Sequence, residues 1–140
     1  MITHAICLSY KKEILEGIHT LSHTYKIALF TETAELNKFT TSYTGLTDEV
    51  VGTGYTAGGQ ELAGIQTSLS GDTALLDFTT NPSWTSSTIS ARGALVYNDS
   101  LAGKNAVAVI DFGSTYSSIN QDFIITLPAS GETTSLIRII

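Results

Sequence analysis

The sequence is poor in charge. Only 14% of its 140 residues are Asp, Glu, Lys or Arg, where about 25% is usual for a globular domain. Ser and Thr fill much of the polar space instead. Hydrophobic residues make up 42%, and a chain with much apolar content and little charge folds, since disorder needs the opposite balance. The length suits one domain, residues 1–140, whose core needs no staples. Few surface charges imply that part of the outside is covered by something else. The charge present is lopsided, with 7 basic against 13 acidic residues and a net charge of −6. Phosphate binding needs a basic footprint, so the charge argues against nucleic acid as the main partner. A positively charged protein surface would suit the chain better.

Cysteine is nearly missing. Cys7 stands alone, so no intramolecular disulfide framework exists, and it reads as a small buried apolar residue on a helix. No apolar run approaches the ~20 residues of a membrane-spanning helix, so no membrane partner is expected. The first residues lack a basic stretch followed by an apolar core, so no secretory signal is expected and synthesis falls in a cytoplasm.

What is present centres on Thr88 to Phe112. Ala94–Tyr97 and Ala106–Phe112 are apolar and β-prone, and Asn98, Asp99, Ser100, Gly103, Lys104 and Asn105 between them are turn formers. Neither strand alternates cleanly, which predicts that both faces are covered. Upstream, residues 4–22 carry a helical pattern. Ile6, Tyr10, Ile14, Ile18 and Leu21 line one face, and Gly17 interrupts it at a cost of about 1 kcal/mol relative to Ala. From Tyr25 the pattern is that of strands: Tyr25–Thr31, a weak one from Glu49, a bulged one over Leu62–Leu69, Thr73–Thr79, the central pair, Phe123–Leu127 and Leu136–Ile140. About eight short strands with regular turn signals predict an all-β, jelly-roll-like sandwich of two sheets over residues 25–140 behind one N-terminal helix, with an immunoglobulin-like sandwich as the alternative.

Motifs that could carry chemistry are incomplete. Gly52-x-Gly54-x-x-x-Gly58-Gly59 lacks the Gly-Lys-Ser/Thr of a phosphate loop and reads as a turn crossing the sandwich edge. His19 and His23 are one helical turn apart, but no carboxylate lies between them and no third ligand is in sight. Asp77 and Asp111 sit on strong strands and could form a glycosidase pair only if brought together. Tyr55, Trp84, Tyr97 and Tyr116 could stack on sugars or pack the core and rim. Arg92, in an apolar strand, must pair with a carboxylate or face a partner. No active site, cofactor site or metal site emerges.

Four segments resemble a family of small proteins encoded among the virion genes of tailed bacteriophages: Tyr25-Lys-Ile-Ala-Leu-Phe-Thr31, Val51-Gly-Thr-Gly-Tyr-Thr-Ala-Gly-Gly59, Ala91-Arg-Gly-Ala-Leu-Val-Tyr-Asn98 and Ala106-Val-Ala-Val-Ile-Asp-Phe-Gly113. The opening Lys11–His19 and the closing Leu136–Ile140 fit as well. In length and jelly-roll character the family is similar to capsid cement (decoration) proteins. The resemblance implies a non-enzymatic protein of the capsid surface that bridges major capsid subunits and pairs with itself as a dimer or trimer. A neck or tail connector, or a tail-fibre-like carbohydrate-binding module, remains as an alternative. The expected contact residues are Tyr10, Ile14 and Ile18 on the helix, Gly54 and Tyr55 in the glycine-rich loop, and Arg92.

Overall fold

The computed structural model of the chain describes residues 1–131 and 133–140. Among these the chain forms β1 (Ala5–Ile6), α1 (Leu8–Leu15), β2 (Tyr25–Phe30), β3 (Gln60–Leu62), β4 (Ile65–Ser70), β5 (Thr73–Phe78), β6 (Ser83–Asn98), β7 (Ala106–Ile124) and β8 (Ile137–Ile139). They make two antiparallel sheets, one in the order β1-β7-β6-β2-β3 and one in the order β4-β5-β8. The protein is an all-β two-sheet sandwich with one short N-terminal helix, as its turn spacing and strand count predict.

The centre is the β6–β7 hairpin with β2 laid along it. Ile27 pairs with Val96 and Leu29 with Ala94, while Leu95 pairs with Val109 and Val96 with Ala108. Ile27, Leu29, Leu95, Val96 and Val109 are all inaccessible, which is why their strands show no polar–apolar alternation. Burying a side chain of this size is worth about 1.5–3 kcal/mol, so this block is where most of the apolar stabilisation lies.

Three expectations need correction. The helix does not span residues 4–22. Ala5 and Ile6 instead pair with Val109 and Ala108 as a strand, because an apolar pair beside an open sheet edge satisfies its backbone there. Gly17, at φ 70°, then ends α1, and the amides of Gly17 and Ile18 close back onto the carbonyls of Ile14 and Glu13. Ile18 therefore lies beyond the helix. The bulged strand over Leu62–Leu69 is two strands in different sheets, since Gly64 at φ 74° breaks it. Phe123 is not the start of a new strand but pairs with Trp84 at the far end of β7. The long hairpin escapes notice in the sequence because its outer half is rich in Ser and Thr and is interrupted by register shifts, one of them between Ala91 and Gly93.

The glycine-rich segment lies against the large sheet. A Cβ on Gly59 would stand 1.8 Å from the Ile27 carbonyl oxygen, and one on Gly54 would stand 2.9 Å from the Ser87 Cα. Both glycines have positive φ, so close approach and backbone conformation demand them together.

Candidate interaction surface

Two arrangements of polar side chains fix the loops around the hairpin. Glu49 accepts hydrogen bonds from the hydroxyls of Tyr43 and Tyr55 and from the Gly58 amide, each at 2.7 Å. The Tyr55 hydroxyl also accepts from the Leu29 amide at 2.8 Å, and the Tyr97 hydroxyl donates to the Gly58 carbonyl. The Tyr43 and Tyr97 rings stack at 4.5 Å. Burial, reinforced by the Glu49 bond, pushes the Tyr43 hydroxyl up to about 12. Burial raises Tyr55 and Tyr97 further still.

The second arrangement sits at the β6–β7 turn. Asn98 is fully buried, and its amide nitrogen donates to Nδ1 of His19 at 3.0 Å and of His23 at 2.8 Å. His19 Nε2 faces the Glu13 carboxylate at 3.2 Å, and the Asn105 amide nitrogen donates to the other Glu13 oxygen. Both histidine Nδ1 atoms are thus occupied inside the protein. Among the described residues no group of three or more His, Cys, Asp or Glu is placed to hold a metal ion.

The remaining chemical candidates are spent on structure. Asp77 is buried in β5 and accepts from the Ser135 hydroxyl at 2.7 Å and the Leu136 amide at 2.9 Å, tying down the segment that leads to β8. Asp111, in the other sheet, accepts from Arg92 Nε at 2.9 Å and from the Gly113 amide. These two bonds, Arg92 first, hold its carboxyl below the usual range. Among the described residues the two aspartates share no hydrogen-bond partner. Trp84 is buried between Tyr55 and Phe123, leaving Tyr116 as the exposed member of the expected aromatic set. Cys7 is buried, and burial first, then the Glu13 charge, pushes its thiol up to about 12.

The fold also leaves open an apolar groove between α1 and the small sheet. One cavity of about 410 Å³ is lined by Tyr10, Ile14, Leu21, Tyr25, Leu76 and Ile137, among others. A second, of about 360 Å³, shares Tyr10, Ile14, Ile137 and Ile139 with it and adds Leu15 and Ile140. Leu15 is 90% exposed and Ile140 is 95% exposed. Apolar side chains gathered on one rim are the mark of a contact surface.

Of the expected contact residues, Tyr10 and Ile14 meet in the groove, and Ile18, Gly54, Tyr55 and Arg92 do not line it. Tyr10 is 4% exposed and forms the groove floor, its hydroxyl pushed up to about 12 by burial. Ile14 lines the wall. Ile18 lies beyond the helix, Gly54 is exposed on the glycine-rich loop, Tyr55 points its hydroxyl inward to Glu49, and Arg92 is paired with Asp111. Sequence reasoning missed the small-sheet wall of the groove, Leu76, Ile137 and Ile139. The apolar end of the chain was its one visible sign.

Fold and groove define a β-sandwich with an apolar groove beside its helix. Comparisons with protein-family models, with curated proteins and with solved structures return no match.

Proposed function

We propose that this chain is a bacteriophage virion structural protein, a capsid cement protein that binds and bridges major capsid subunits on the outside of the head. The observation that carries the reading is the exposed apolar rim formed by Leu15, Ile139 and Ile140 around the groove, on a chain with little charge to keep such a surface solvated. A surface of that kind is satisfied by a neighbouring protein. The net charge of −6 favours a basic docking site.

The resemblance to phage virion proteins supports the same reading. Its four segments fall on β2, the glycine-rich loop, the inner half of β6 and the inner half of β7, so they describe the scaffold and leave the particle position to surface residues. On a lattice, weak contacts repeated at every site multiply through avidity. The protein's work is then mechanical: linking neighbouring capsomers raises the cost of parting them when packaged DNA presses outward.

Quantitative mass spectrometry of purified particles tests this. A shell protein is present in hundreds of copies, in fixed ratio to the major capsid protein. A dozen or fewer copies would assign it to the neck or tail, and absence from the particle would end the reading.

A further inference from the structure

We infer that β4 is a self-recognition edge, where two copies of this chain join antiparallel about a two-fold axis through Thr67 to make one continuous six-stranded sheet, β8-β5-β4-β4-β5-β8. This rests on the cement reading, whose family resemblance implies a dimer or trimer, and names the surface that would form the dimer.

β4 is the outer strand of the small sheet, and among the described residues no backbone pairing covers its far side. Exposed edges are normally blunted by shortness, charge, proline or bulges. The other edges here are blunted so. β1 has two residues, β3 has three and carries Glu61, and β8 has three and carries Arg138. Beyond β1 and β2, the outer rims of β7 and β6 are broken by positive-φ residues at Gly113, Asn120 and Ser86 and by the register shifts along their pairing. β4 has none of these devices. Its six residues, Ile-Gln-Thr-Ser-Leu-Ser, include no charge and no proline, and its register against β5 runs unbroken from Ile65↔Phe78 to Ser70↔Thr73.

The backbone groups on offer follow from the hairpin geometry. Gly71, at φ 56°, opens the two-residue turn between Ser70 and Thr73, which makes these two a hydrogen-bonded pair. At the other end, the Thr79 amide donates to the Gly64 carbonyl at 3.0 Å. Bonded and non-bonded pairs alternate along an antiparallel ladder. Gln66, Ser68 and Ser70 therefore aim their amides and carbonyls at β5, and Ile65, Thr67 and Leu69 aim theirs outward.

The strand is also self-complementary. Read in either direction, residues 65–69 run apolar, polar, Thr, polar, apolar. A two-fold axis perpendicular to the sheet at Thr67 sets Thr67 against its own copy, Ile65 against Leu69 of the second copy, and Gln66 against its Ser68. Thr against Thr is a favourable cross-strand pair, Ile65 against Leu69 joins two apolar side chains, and Gln66 against Ser68 sets two uncharged polar ones together. Every outward-facing amide and carbonyl of Ile65, Thr67 and Leu69 finds a partner in that register. It also covers Leu69, 80% exposed in the single chain, and extends the apolar face on which Thr67, Ala74 and Leu76 already line the groove.

The test is the solution mass of the purified full chain. Sedimentation equilibrium is expected to show a concentration-dependent dimer of the 14.9 kDa chain. Thr67→Pro removes only an outward amide, which an edge strand tolerates, so it gives a monomer with an unchanged circular dichroism spectrum. Ser68→Pro, which removes an inward amide, loses the fold. Leu69→Lys, at an exposed position, gives a folded monomer and settles the matter if Thr67→Pro does not fold. A wild-type chain that stays monomeric at every concentration overturns the inference, as does a dimer that survives Leu69→Lys. A monomer present in hundreds of copies per particle would sink this inference alone. A two-fold dimer absent from particles would sink the cement reading alone.

Discussion

At the scale of single residues, the tyrosine hydroxyls act as fasteners, and their worth depends on what they leave behind when removed. Tyr55 and Tyr43 each donate to Glu49 at the same distance, yet Tyr55 also satisfies the amide of the buried Leu29, whereas the Gly58 amide beside Tyr43 is held by Glu49 as well. An orphaned buried donor costs about 1–3 kcal/mol beyond the bond itself. Tyr55→Phe is therefore expected to destabilise the protein by about 2–3 kcal/mol and Tyr43→Phe by about 1 kcal/mol, read from urea unfolding at neutral pH. Equal losses would mean that the Leu29 amide finds water when the hydroxyl is gone. Glu49 itself has no signature in the sequence. Nothing about a lone glutamate before Val50-Val51 announces that two tyrosines and a glycine amide converge on it, because that convergence is made by the way the long connection between β2 and β3, residues 31–59, folds back on itself.

At the scale of elements, the same segment shows what the sequence makes legible. The glycines at 52, 54, 58 and 59 mark a loop by composition, and a loop they form. Composition does not show that the loop lies on β2, where Gly59 meets the Ile27 carbonyl, while Gly45, also at positive φ, has open space around its missing Cβ. The two positions separate backbone strain from close approach. Gly45→Ala costs only the conformational penalty, about 1 kcal/mol, whereas Gly59→Ala must push the loop off the sheet and breaks the Glu49 cluster with it. Limited proteolysis is the measurement. Cleavage between residues 42 and 59 is expected to speed up markedly in Gly59→Ala and to change little in Gly45→Ala. β2, β5 and the hairpin centre are readable because their apolar runs are unbroken. The ends of β6 and β7 are not, because Ser83–Ser90 and Ser114–Gln121 look like loop, and only pairing with each other makes them strands. The groove is hidden for a related reason: α1, β5 and β8 come from three distant parts of the chain, and no local pattern records their meeting.

At the scale of the whole molecule, the titrating groups define a stability plateau with two different edges. On the acid side, Lys104 and then Lys26 hold Asp99 below the usual carboxylate range, and Arg92 does the same for Asp111. A carboxylate with a depressed folded value contributes stability that is present above its unfolded value, 3.8 here. That contribution is lost as pH falls through the lower folded value. On the alkaline side the cause is burial. Tyr10, Tyr25 and Tyr43 rise from 10.0 to about 12, with Tyr55 and Tyr97 raised further. A raised acid keeps its proton longer in the folded state, so its contribution is whole below the unfolded value of 10.0 and disappears as pH climbs toward the folded one. Five such groups titrating together should make the alkaline edge the steeper one, since the two aspartates are partly solvated. Melting temperature followed across pH is expected to stay level between the two edges, fall gently in acid below 3.8, begin to fall above 9.0, where the Cys7 thiol of the unfolded chain ionises, and fall sharply above 10.0. Asp99→Asn with Asp111→Asn should flatten the acid edge alone. Tyr10→Phe, which keeps the buried ring and removes the proton, should soften the alkaline edge and leave the acid one unmoved; an alkaline edge that does not respond would place the loss of stability in some group other than the buried phenols.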